Sequence, residues 1–128
     1  MSALIVSKSP RNAVDTIAAL RALLETKQIQ VFAVIDHSGG ARNAGLALAD
    51  EFVVLFGNPG VGTLVMQDRP ESGYDLPLRM LVWDDGGTTR VGYRDPAEFV
   101  DRYGLDASRA TVKRLSSLMR SLADELGS

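Results

Sequence analysis

A chain of 128 residues, 45% of them hydrophobic, is long enough to build one core without metals or crosslinks. Its 14 basic and 16 acidic residues give a net charge of −2, which excludes the electrostatic footprint of a nucleic-acid binder and a polybasic membrane patch. With no cysteine, disulfides, thiolate zinc sites, iron–sulfur clusters and cysteine nucleophiles are excluded as well.

The N-terminal stretch Met1–Ser7 carries a short apolar run with no basic residue ahead of it, which suits neither a signal peptide nor a spanning helix. The expectation is therefore a soluble, cytoplasmic single domain over residues 1–128. Ala3–Ser7 reads as the first strand. After Pro10, the spacing of Ala13, Ile17, Leu20 and Leu24 predicts a helix, with Asn12 as its N-cap and Asp15 in the partner position of a capping box. Gln28–Asp36 is apolar on both faces, as a central strand would be. His37–Leu46 suits a short helix of small residues capped by Ser38. Phe52–Phe56 is a third strand, apolar on both faces, and Gly60–Gln67 a short helix after the turn. Asp68–Asp75, punctuated by Pro70 and Gly73, reads as a loop. Leu78–Asp84 and Thr88–Arg94 are two strands joined across Asp85-Gly86-Gly87, a strong hairpin signal. Asp95-Pro96-Ala97-Glu98 starts a helix that stops at Gly104, and a longer amphipathic helix runs from a Ser108 cap to Gly127. The order β-α-β-α-β-α-β-β-α-α, with an antiparallel hairpin, predicts an α+β fold: a mainly antiparallel sheet of about five strands with helices packed on one face.

Four groups of residues, taken together, carry a resemblance. They are Val34-Ile-Asp-His37 with Ala41; Phe56-Gly-Asn-Pro59 with Gly62-Thr63 and Met66; Asp75-Leu-Pro-Leu78 leading to Leu81-Val-Trp83; and Tyr93 with Asp95-Pro96. This set resembles the prokaryotic family called "domain of unknown function 302" over most of the chain. The resemblance implies a TATA-binding-protein-like α+β fold with a β-α-β(4)-α core, and self-association, most simply as a homodimer. It implies no activity.

Two places could hold chemistry. The first is Phe56-Gly-Asn-Pro-Gly-Val-Gly-Thr63. It lacks the lysine of a P-loop, but its strand–turn–helix context could offer free N–H groups and the Thr63 hydroxyl to a small anion. The plainer alternative is that the glycines permit the turn and Asn58 caps it. The second is His37, the one histidine, which follows Asp36 at a strand end. It could act as general acid/base oriented by Asp36, as a ligand anchor, or as part of a buried polar network. A single histidine with scattered carboxylates shows no metal-ligand spacing, and no G-x-S-x-G turn is present, so neither metal nor cofactor is expected. Trp83 reads as a core residue, and Arg109, Lys113, Arg114 and Arg120 as a solvated face. The leading expectation is a binding module holding a small polar or anionic molecule with His37, Gly57, Asn58, Pro59, Gly62 and Thr63 around one hollow. A structural, homodimeric protein without ligand and an enzyme using His37 are the alternatives.

Overall fold

The computed structural model describes residues 3–128; Met1 and Ser2, where the reading of the N-terminus begins, lie outside the described residues. Strand β1 is Ile5–Ser9, helix α1 Ala13–Thr26, β2 Gln30–Asp36, α2 His37–Asn43, β3 Glu51–Gly57 and α3 Pro59–Asp68. A 3-10 helix, Pro70–Asp75, occupies the stretch that reads as a loop. It is followed by β4 Leu78–Asp85, β5 Thr88–Tyr93, α4 Glu98–Tyr103 and α5 Arg109–Leu126.

The strands form one antiparallel sheet in the order β1-β5-β4-β3-β2. The hairpin is the two-residue kind: Asp85 pairs with Thr88, and Gly86 and Gly87 both take positive φ, at 60° and 98°, where a side chain would be strained. One face of the sheet presents Val54, Phe56, Leu78, Met80, Val82, Val91 and Tyr93, all buried. Against it lie α1, through Ala13, Ile17, Leu20 and Leu24, and α5, through Val112, Leu115, Met119, Leu122 and Leu126. Both sets recur at three- and four-residue spacing, so each helix turns one continuous apolar stripe inward. Each such leucine taken from water contributes about 1.5–3 kcal/mol. Asn58 and Asn12 cap their helices, accepting from Gly60 N at 2.9 Å and Asp15 N at 2.7 Å. Asp68 at the end of α3 accepts from both the backbone N and the hydroxyl of Ser108, at 2.9 and 2.8 Å, fixing α3 to the start of α5.

Two expectations are corrected here. First, β2 is an outer strand, not a central one: it pairs with β3 alone, and a register shift between Val31 and Ala33 leaves Phe32 unmatched. Its apolar residues are divided between the core side and a face that no helix among the described residues covers, and Phe32 and Ile35 are 47% and 42% exposed. Second, Trp83 belongs to that uncovered face, with Val53, Leu55 and Leu81, and is half-buried. Its ring lies over Gly92, where a Cβ would come within 3.0 Å of Trp83 Cζ3.

Candidate functional site

The turn after β3 opens a helix, as its residues predict, but its donors are already used. Pro59 has no N–H, Gly60 N donates to the Asn58 side chain, and Val61 N and Gly62 N donate to Asn58 O at 3.0 and 2.9 Å. The Thr63 hydroxyl donates to Pro59 O at 2.6 Å. The first turn of α3 is thus satisfied by its own cap, and an arriving anion would find no free amide there.

What the turn does build is a hollow of about 460 Å³. Gly57, Asn58, Pro59, Gly62 and Thr63, five of the six residues expected to form a site, all line it. Its walls come from Phe32 on β2, Leu55 on β3, Val61 and Met66 on α3, Leu76 and Pro77 before β4, and Leu115 on α5. A Cβ at Gly62 would stand at ordinary contact distance from two lining residues, 3.8 Å from Leu76 Cδ1 and 3.9 Å from Met66 Cε, so the position faces the hollow. Among the described residues that line the hollow, none is charged. The site prepared here is apolar with a polar rim.

His37, the sixth residue, lies elsewhere. It begins α2 beyond the end of β2 where Asp36 faces Phe52, whereas Asn58 follows the opposite end, where Gly57 faces Gln30. Antiparallel pairing places the two ends a strand length apart, and His37 lines a different groove. Nor does Asp36 orient it. The Asp36 carboxylate accepts from the Ser38 hydroxyl at 2.6 Å and Gly39 N at 2.7 Å and pairs with Arg42 at 3.7 Å. Those hydrogen bonds, Ser38's foremost, hold its carboxyl below the usual range. Asp36, and not Ser38, is therefore the N-cap of α2. Ser38 is buried and accepts from Glu51 N at 3.2 Å, tying α2 to β3. No Asp–His dyad forms.

The groove that includes His37 has a volume of about 520 Å³ and gathers residues the sequence does not single out. Arg79, Arg94 and Arg102 line it together with Asp75 and Tyr74. A signal was available: a two-residue turn at Gly86-Gly87 fixes the register of the hairpin, and Arg79 and Arg94 stand at equal distances on either side of it.

Comparison with known proteins adds the family. The model of "Domain of unknown function DUF302" matches residues 5–122. The chain belongs to this family. A crystal structure titled as an uncharacterized conserved DUF302 protein from Bacillus stearothermophilus superposes on this DUF302 domain with a TM-score of 0.85, covering 94% of this chain and 95% of that one at 19% identity, which shows the shared fold. Among curated proteins, the domain is 38% identical over 108 residues to "Fluoride-specific ion channel FluC 1" of Brucella suis biovar 1 and to the protein of the same name of Brucella abortus biovar 1. The match covers 84% of this chain but 42% and 40% of those relatives, so the DUF302 domain spans about two fifths of their length. Among the described residues, no helix is long and apolar enough to cross a membrane.

Proposed function

We propose that this DUF302 domain is a binding module that takes an apolar or weakly polar small molecule in the hollow beside Asn58. The observation that carries the reading is the lining itself. A space of about 460 Å³, walled by Phe32, Leu55, Val61, Met66, Leu76 and Leu115, has the size and character of a small-molecule site. Asn58 and Thr63 at the rim supply orientation. The absence of charge among its described lining residues and the satisfied donors of α3 favour a neutral guest over an anionic one. On this reading fluoride, the ion named for the Brucella relatives, is not the guest of the hollow.

The test is titration with N-phenyl-1-naphthylamine, an apolar fluorophore, followed by fluorescence and by thermal unfolding. Wild-type protein binds the dye and gains thermal stability with its concentration, while sodium fluoride leaves the midpoint unchanged. Gly62→Leu fills the hollow and weakens dye binding by about tenfold or more. The same change improves helix propensity by about 1 kcal/mol, so the free variant keeps its stability. Dye binding unaltered in Gly62→Leu, or stabilisation by fluoride, would overturn the reading.

A further inference from the structure

The groove that includes His37 adjoins the hollow, since both are lined by Leu78 and Arg79 of the groove pairs with Leu55 of the hollow, but its character is opposite. Leu81 pairs with Gly92, and continuing that register by two positions sets Arg79 of β4 opposite Arg94, just beyond β5. Like charges facing each other across two strands are destabilising. Among the described residues, neither arginine takes part in an ion pair. The one carboxylate among the lining residues is committed within the groove: Asp75 accepts from Arg102 Nη1 at 2.9 Å and from the Tyr103 hydroxyl. Arg102 is held a second time by Glu98 at 3.1 Å and lies over the Phe99 ring, 5.6 Å from its centroid. Asp75 and Glu98 both pair with Arg102, so among the described residues Arg79 and Arg94 are the charges left unpaired, and they make this groove positive. Its remaining floor includes the apolar side chains of Leu4, Val53 and Leu81.

We propose that this groove is a second ligand site, for an amphiphilic anion whose phosphate or carboxylate head is held by Arg79, Arg94 and Arg102 and whose apolar body lies along Leu4, Val53 and Leu81. Guanidinium forks match the planar or tetrahedral oxygens of such a head and form charge-assisted hydrogen bonds with them. A bound head also relieves the repulsion between Arg79 and Arg94. Arg102, fixed by Asp75 and Glu98, is the preorganised member of the trio, and Arg79 and Arg94 close on the ligand.

Octyl phosphate, inorganic phosphate and 1-octanol separate the contributions of head and tail. Measured by calorimetry at low salt, octyl phosphate binds about tenfold or more tightly than inorganic phosphate, and added salt weakens it. The double variant R79Q/R94Q loses octyl phosphate by at least about tenfold while retaining the weak binding of 1-octanol, which reports the apolar hollow as well as the groove floor. Both arginines are exposed and unpaired, so the variant folds, with a melting temperature equal to or above that of the wild type. Octyl phosphate binding R79Q/R94Q as tightly as the wild type overturns the proposal, as does octyl phosphate binding no better than inorganic phosphate. Loss of octyl phosphate in Gly62→Leu but not in R79Q/R94Q would assign the ligand to the hollow and likewise overturn it.

Discussion

At Asp75, burial favours the neutral acid, and hydrogen bonds donated by Tyr103 and Arg102 outweigh it, so the carboxyl sits below its usual range. Asp68 and Asp95 are shifted the same way, Asp68 by the Ser108 backbone N–H and hydroxyl, Asp95 by the Ser116 hydroxyl and Ala97 N. Asp36 shares the direction through Ser38 and Gly39. A depressed folded-state pKa contributes stability that is present above the unfolded value and is lost as pH falls through the folded one. The melting temperature is therefore expected to hold nearly level from neutrality to about pH 5 and to drop below about pH 4. Asp75→Asn should make that drop shallower while lowering stability at pH 7, as followed by circular dichroism; an unchanged acid limb would mean that Asp75 does not contribute to it. Caps at this scale were legible where a single candidate stood before an apolar repeat, as with Asn12 and Asn58. They were not legible at α2, where Asp36 and Ser38 are both good N-caps and only the point at which β2 stops selects the first.

Among the elements, the strands divide by what covers them. Apolar residues on both faces of β2 suggested burial on both sides, yet in β2 and β3 alike the side away from the helices is left partly exposed. Period-two patterning reports which residues share a face, and it does not report whether anything lies on that face. Trp83, read as a core residue from its size, shares that partly exposed face with Val53, Leu55 and Leu81. The difference is measurable in one strand. Phe56 is fully buried opposite Leu78, and Phe56→Ala should cost about 3–5 kcal/mol in urea unfolding. Leu55, its neighbour on the uncovered side, should lose less than half as much on truncation to Ala. Equal losses would mean that the second face is covered in solution. The hairpin and the long amphipathic α5 were readable, because each depends on contacts between residues close in sequence.

The molecule as a whole assembles its two hollows from residues distant in the chain. Asn58 and His37 were joined in the sequence reading because each ends a strand and begins a helix. Antiparallel pairing of those strands sends the two ends apart, and nothing local in either segment states which neighbour it pairs with. Arg79 and Arg94 are the reverse case, since the turn between them sets their pairing. Alanine at Asn58 should weaken dye binding and leave octyl phosphate binding unaltered, the converse of R79Q/R94Q, if the two adjoining cavities bind independently.

The unmatched Phe32 in the outermost strand has a consequence for how the protein survives crowding. An outer strand with an unbroken row of N–H and C=O groups is a template on which another chain can add. The extra residue between Val31 and Ala33 breaks that row and bends the strand. Deleting Phe32 would bring Val31 and Ala33 into continuous alignment with Phe56 and Leu55 and restore a flat ledge. Concentrated samples of that variant should then accumulate thioflavin-positive fibrils while the parent sequence stays clear, so the irregularity works as a guard against runaway stacking.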